Sequence, residues 1–290
     1  MEAVEKQDGW RLKFAYFALV VAVLSVVWFM AAALGSKFGL WSWQFGLLTM
    51  LAKYGPYVAG TGAVVAVLSF VLALVAAPRK KPFIISVAAL LVTGLLLSRL
   101  IALMFVVGRI GDAPPIPPIH DIQTDWADEI VLSDALMDAR GAESNPVLYG
   151  EDAVFYNPEN ETFGGRTTAD IQEKAEFDPA TDKEREDKPY NTIEPLLIDA
   201  SPDAVFDQAE RLAKARGWKI VTSDKAGGRL EATHTSTWFG FKDDVAIRIR
   251  SEGDGTRVDM RSISRVGRSD LGANAKRISL FLTDLGGQRY

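Results

Sequence analysis

The chain has no cysteine and only two histidines, His120 and His234. The lack of cysteine excludes thiol catalysis, disulfide bonds and thiolate metal sites, although it leaves the cellular compartment open. The sequence also contains no D-x-D-x-D-G calcium loop and no G-x-S-x-G nucleophile elbow. We therefore expect neither a bound metal nor a cofactor.

Carboxylates are missing from three long apolar runs, at residues 14–34, 54–77 and 83–107, in which Arg99 is the single charge. Each run is long enough to cross about 30 Å of hydrocarbon, so we predict three transmembrane helices. Because ion-coupled transporters use intramembrane carboxylates, this absence argues against transport. Small residues in the second run, such as Gly62 and Ala66, fit either intrachain packing or dimerisation, which leaves the oligomeric state open.

Charge is divided unevenly along the chain. Through Gly108 there are nine Lys or Arg against three Asp or Glu, a net charge of +6. Residues 109–290 have a net charge of −11, and the two parts together give the net charge of −5 for the whole chain. The positive-inside rule places the N-terminus and residues 78–82 in the cytoplasm and residues 109–290 outside it. We therefore expect the bacterial inner (cytoplasmic) membrane, with a periplasmic C-terminal domain that repels nucleic acid.

Composition divides the chain into four parts. Residues 1–108 are the three-helix transmembrane anchor, and residues 109–125 are a Pro-rich stalk followed by an opening motif. Residues 126–184 are acidic and poorly periodic, so we expect an irregular segment that wraps the core. Residues 185–290 are predicted to form an extramembrane α+β core.

The clearest element of that core is a hairpin whose turn contains Gly253 and Gly255. Pairing Ser251 with Thr256 puts alternate apolar residues of both strands on one face, which packs on a core. The other face is charged, with Arg248 opposite Asp259, and it is more basic than a solvated face needs to be.

The remaining elements predict the order β-α-β-β-β-β-α. A strand near Pro195 precedes a helix that begins after Ser201 and ends at Gly217, and two further strands follow. Ser269 or Asp270 is predicted to be the N-cap of the last helix, whose apolar stripe begins at Leu271. Runs of strands flanked by helices indicate an antiparallel sheet with both helices on one face, a membrane-anchored α+β fold.

Three runs of the sequence resemble a known family. They are PPIHDIQTD at residues 117–125, FGFKDD at 239–244 and RSISRVGRSDLGANAKR at 261–277. They resemble a bacterial membrane-anchored family of unknown function, domain of unknown function 1499. The resemblance implies no activity. Some relatives carry a cysteine near residues 143–145, and no role of that thiol transfers to this chain.

The turn into the last helix suggests an anion-binding site, because a helix N-terminus and nearby guanidinium groups attract negative charge. The candidate residues are Arg261, Ser262, Ser264, Arg265, Arg268, Ser269, Asp270, Asn274 and Arg277. In the structural alternative, Asp243 and Asp244 pair internally with these arginines.

Two functions remain open. The favoured one is a tethered binding or scaffolding module that recognises an anionic envelope lipid, an envelope polymer or a membrane-protein partner. The alternative is a membrane-tethered hydrolase using His234 with Asp243 or Asp244. Glu231 adds little to such a site, because it lies three residues from His234 along a strand and points to the opposite face.

Overall fold

The computed structural model describes residues 2–75, 80–106, 118–153, 165–174 and 193–287. The chain divides into two compact units, the N-terminal helices and a C-terminal domain, and residues Thr237–Gly240 are grouped with the first. The Pro-rich run at residues 109–117 and most of the acidic run after residue 174 lie outside the described residues.

Three helices in the first unit are long and apolar enough to span a membrane, at Gly9–Lys37, Phe45–Val75 and Lys80–Ala102. This confirms the predicted number of spans. The elements are α1 (Glu2–Lys37), a π-helical segment (Phe45–Tyr54), α2 (Gly55–Val75) and α3 (Lys80–Val106). The second helical stretch begins at Phe45, nine residues before the apolar run predicted from the sequence. Pro56 lacks an N–H group, and the wider π-helical turns directly before it let the helix continue past that proline.

Small side chains hold this unit together. Along α2 they recur every three or four residues on the buried side: Ala59, Gly62, Ala66, Ser69 and Ala73. A Cβ atom on Gly62 would lie 2.9 Å from Ser25 Oγ, so the backbones approach closely there. Ser69 and Ser86 also form a buried hydroxyl–hydroxyl hydrogen bond of 2.7 Å. These contacts are the intrachain packing that small residues in membrane helices permit.

The C-terminal domain is built on a six-stranded antiparallel sheet. Its elements are β1 (Asp121–Gln123), α4 (Asp134–Arg140), α5 (Thr168–Lys174), β2 (Leu196–Ile198), α6 (Pro202–Ala215), β3 (Lys219–Asp224), β4 (Arg229–Thr235), β5 (Lys242–Glu252), β6 (Gly255–Ser264) and α7 (Ala273–Leu285). The strand order is β1-β6-β5-β4-β3, and β2 also pairs with β6. The elements from β2 to α7 follow the predicted order, which confirms the α+β fold class. Strand β1 is an addition, from the opening motif of the sequence.

The β5–β6 hairpin has the predicted register. Ser251 pairs with Thr256, Ile247 with Met260, and Arg248 with Asp259. The apolar face packs against α6 and α7 in one core cluster, which includes Phe206, Ile278 and Phe281. Burial of this stripe is the hydrophobic driving force that alternating strands and amphipathic helices share.

The predicted start of the last helix is wrong. Helix α7 begins at Ala273, and its N-cap is Gly272 in a left-handed conformation with φ of 80°. Asp270 precedes it, and its carboxylate accepts hydrogen bonds from Gly272 N and Asn274 N, 2.8 Å each. This turn delays the helix, because an aspartate that bonds the backbone ahead of it stabilises a turn instead. Leu271 consequently has φ of 51° and is exposed rather than part of the apolar stripe.

Candidate functional site

The charged face of the sheet is buried under residues 118–153. Arg261 in β6 is only 1% exposed, and its guanidinium donates to both carboxylate oxygens of Asp121 in β1, at 3.0 and 2.7 Å. The same guanidinium donates to the carbonyl oxygens of Ile130 and Leu148 and stacks over Trp126. A side chain proposed to bind an external anion is therefore fully engaged inside the domain.

Asp244 is the centre of a second buried group. Its carboxylate is fully buried and accepts from Arg140 at 2.8 Å and from Arg265 at 2.8 Å through two nitrogens. The Thr233 hydroxyl donates to it at 2.7 Å. Burial lowers the pKa of Arg140, while the charge of Asp244 opposes that shift. Arg265 also donates to Ala139 O, which ties the turn before α7 to helix α4.

A third group lies nearer the turn of the hairpin, around Asp259. This carboxylate is buried and accepts from Arg257 at 2.9 to 3.2 Å and from Arg248 at 3.4 Å. Arg257 reaches Asp125 at 2.6 Å, and Arg248 reaches Asp128 at 3.0 Å. The aspartates before and within the wrapping segment thus neutralise the excess of arginine that the hairpin alone suggested.

Glu231 completes the interface between this face and the wrapping segment. Ser133 caps helix α4, accepting from Leu136 N, and donates to Glu231 through its backbone N–H at 2.8 Å and through its hydroxyl. Glu231 is fully buried and points away from His234, as the strand spacing predicted. The basic face is therefore largely internal. Several of its ion pairs, such as Arg261–Asp121 and Arg140–Asp244, join residues that are distant in sequence.

The turn before α7 uses its own backbone donors. Leu271 N donates to Ser269 Oγ, and Gly272 and Asn274 donate to the Asp270 carboxylate. Asp270 N donates to the carbonyl oxygen of Ile119 at 3.1 Å. Arg268 is exposed and makes an interaction of its own within the chain. This geometry favours the internal alternative for the turn over an external anion.

His234 and Asp243 lie on the helix-covered face, at its polar end. His234 Nδ1 is 3.6 Å from Asp243 Oδ2, beyond hydrogen-bond distance, and 3.2 Å from Arg277, which donates to Asp243 at 2.5 Å. Burial opposes ionisation of Asp243, but the His234 ring, the Arg277 charge and the Ser264 hydroxyl together hold the pKa of Asp243 below its usual value. The carboxylate therefore lies between the imidazole and the serine. In a serine hydrolase the imidazole occupies that central place.

Asn274 connects this polar end to strand β1. Its side chain accepts from Ser262 at 2.8 Å and donates to Ser264 Oγ and His120 O at 3.0 Å each. Arg277 donates to both Ser262 and Asn274. Four of the nine candidate residues therefore form one network: Ser262, Ser264, Asn274 and Arg277. Arg261 and Arg265 belong to the opposite face of the sheet. Sequence spacing alone did not separate them because strand residues alternate between faces.

His120 is buried, and its Nε2 lies 3.0 Å from Pro146 O. Within the described parts of the chain, no group of three or more His, Asp or Glu residues is placed to hold a metal ion. Asp121, Arg140 and Ser133 were not predicted from the sequence as partners of the charged face. Of these three residues, only Asp121 lies in a run singled out from the sequence, the opening motif at residues 117–125.

Comparison with known proteins agrees with the resemblance seen in the sequence. Residues 166–285 match the model of a family described as a protein of unknown function, DUF1499. No curated protein matches the chain. The match includes both runs at residues 239–244 and 261–277 and begins after the opening motif at residues 117–125. Within the extramembrane part of the chain, residues 166–285 therefore match the DUF1499 family.

Proposed function

We propose that this protein is a binding or scaffolding module tethered to the bacterial inner membrane, with its C-terminal domain outside the cytoplasm. The three membrane-length helices support the tether. The orientation rests on the basic residues that flank the first span and separate the second from the third. The domain would recognise a partner in the cell envelope.

The proposal rests on the internal pairing of the charged side chains that could otherwise bind an anion or take part in catalysis. Arg261 is paired with Asp121, Arg265 with Asp244, and Arg277 with Asp243. A catalytic base or an anion clamp needs donors or acceptors left for a ligand. Groups paired in this way instead fix the positions of the segments they join, and a preorganised surface favours binding by lowering the entropy lost on association.

The sequence suggested either an anionic ligand, such as an envelope lipid or polymer, or a protein partner. Of these two classes, the geometry favours a protein. The backbone N–H groups of the turn before α7 and the Arg265 guanidinium have acceptors within the domain. A phosphate or carboxylate would have to displace those acceptors, at the cost of leaving buried charges unpaired. A protein partner requires no such exchange, because it can use exposed side chains.

Reporter fusions test the orientation. Alkaline phosphatase fused after Tyr290 is expected to be active, and the same reporter fused after Lys80 is expected to be inactive because that loop would be cytoplasmic. Activity of a reporter that works only in the cytoplasm, fused after Tyr290, would reverse the orientation.

Affinity purification from detergent-solubilised membranes tests the binding function. The full chain is compared with an anchor truncated after Val106, and a partner is expected to be recovered with the full chain alone. Identical recoveries would contradict the proposal. Salt-sensitive binding to anionic vesicles that is lost in Arg268→Ala would assign the anionic ligand instead. Hydrolysis of a generic ester by the full chain, abolished by His234→Ala, would assign the hydrolase.

A further inference from the structure

The loop between β4 and β5 presents an aromatic residue to its surroundings. Trp238 is 58% exposed, whereas Trp218 in the same half of the chain is 6% exposed and stacks on Phe281 in the core. Trp126 is half-buried, and its indole N–H donates to Gln172 at 2.8 Å. Among the tryptophans in the described part of the chain after residue 118, Trp238 therefore has its large amphipathic ring at the surface.

Trp238 lies in a turn that is closed by hydrogen bonds. Ser236 N donates to Phe241 O at 2.8 Å, and Phe241 N donates back to Ser236 Oγ at 2.9 Å. Gly240 adopts φ of 70°, which closes the turn at a position where a Cβ atom would be strained. Phe239 and Phe241 are half-buried beside it, so Trp238 is carried on a base with internal contacts.

The surroundings that suit an exposed indole are those at the surface of a bilayer. Tryptophan is enriched where a membrane meets water, because one side of the ring is apolar and its N–H remains hydrogen-bonded. Lys242 follows the loop and is exposed, so its long side chain can reach a lipid phosphate from the same position.

The length of the chain keeps the loop within reach of a membrane. Eleven residues separate Val106, the end of α3, from Pro118, which lies three residues before β1. Even a fully extended segment of that length spans at most roughly 40 Å. Tethering at this range gives a high effective concentration of the loop at the bilayer surface, so a weak contact suffices.

We propose that the Thr237–Phe241 loop is a second membrane attachment, in which Trp238 lies in the headgroup interface of the bilayer that the three helices span. The attachment rests on the three spans and on the loop, and it is independent of the binding function proposed above.

The absence of cysteine makes a depth measurement direct. A spin label is attached to Thr237→Cys in the full chain in phosphatidylcholine–phosphatidylglycerol nanodiscs, and the matched control is Asp254→Cys in the exposed β5–β6 turn. The label at residue 237 is expected to collide more often with oxygen than with a water-soluble nickel complex, and the label at 254 is expected to show the reverse. Equal preference for the nickel complex at both sites would overturn the proposal.

A second pair of variants assigns the effect to the ring. Trp238→Ser in the Thr237→Cys background is expected to shift the label toward the nickel complex, whereas Tyr149→Ser, which removes another exposed aromatic residue, leaves it unchanged. Circular dichroism checks that both variants stay folded. A label at residue 237 that is shielded from both reagents would identify a protein contact in place of lipid, and would also overturn the proposal.

Discussion

Met260 and Arg261 are neighbours in β6, both essentially buried, and they point to opposite faces of one sheet. Met260 lies in the apolar cluster beneath α6 and α7. Arg261 lies beneath the segment that contains Ile130 and Leu148, held by a carboxylate and two carbonyl oxygens. The two faces of the same strand are therefore covered through different interactions: apolar packing on one side, and ion pairs with hydrogen bonds on the other.

The difference shows what each kind of closure requires. Apolar packing is non-directional, so many side chains of suitable volume fill that side. Burying a guanidinium is costly unless its partners are placed to receive its hydrogen bonds. The ionic side therefore determines which segment covers it, because Asp121 is positioned to neutralise Arg261.

The largest expected effect is on the ionic face. Arg261→Met leaves the buried Asp121 charge unpaired, and the domain is expected to lose about 3–5 kcal/mol of unfolding free energy. Native-state hydrogen exchange at the β6 amides of the full chain measures the loss. The double variant Arg261→Met with Asp121→Asn should be more stable than the single variant, because no unpaired charge remains. A double variant no more stable than the single one would mean that the charge is not the cause.

Met260→Ala breaks the apolar face at the adjacent position. It is expected to cost about 2–5 kcal/mol through lost burial and the cavity left behind. Exchange at the same β6 amides measures it, and the loss should be the same at low and high salt. If the loss proved strongly salt-dependent, the assignment of this face to apolar packing would be wrong.

The sequence predicted the apolar face well because its determinants are local. Alternation and a short turn set the β5–β6 register, and helical spacing identified the helices that cover it. The partners of the charged face could not be found in this way. Arg261 and Asp121 are 140 positions apart, and Arg140 and Asp244 are 104 apart. Alternating charge looks the same whether water or a distant carboxylate receives it, so the pattern indicated a binding surface.

The candidate site likewise contains one feature that the sequence allowed and one that it could not predict. The pairing of Asp244 with Arg265 was one of the alternatives open from the sequence, since both lie near the ends of adjacent strands. The start of α7 at Ala273 was not predictable by helix-cap preferences, because Asp270 is a good N-cap residue that here stabilises the preceding turn.

A smaller effect distinguishes an internal from an external partner of the arginines before α7. Arg265→Ala removes one of the two guanidinium groups on Asp244, which keeps Arg140, so the expected loss is about 1–3 kcal/mol. Arg268→Ala is the matched control, and as an exposed substitution it should change stability by no more than about 0.5 kcal/mol. Thermal unfolding of the full chain in detergent measures both. Equal melting temperatures for the two variants and the wild type, together with loss of anion binding in both, would favour the external ligand.

The smallest effect concerns Asp243, at the polar end of the helix-covered face. Its pKa is lowered in the folded domain, so the folded state binds fewer protons than the unfolded chain in acid. This contribution to stability is complete above the ordinary aspartate range, near pH 4, and is lost as the pH falls through the lowered value. Asp243→Asn removes it and leaves Arg277 without its carboxylate. The variant should therefore be less stable than the wild type at neutral pH, and the gap between their melting temperatures should close on acidification. Repeating the comparison in a His234→Gln background separates the carboxylate from the neighbouring imidazole. A gap that stays constant from neutral pH into the acid range would show that the ionised form of Asp243 contributes nothing to the stability of this face.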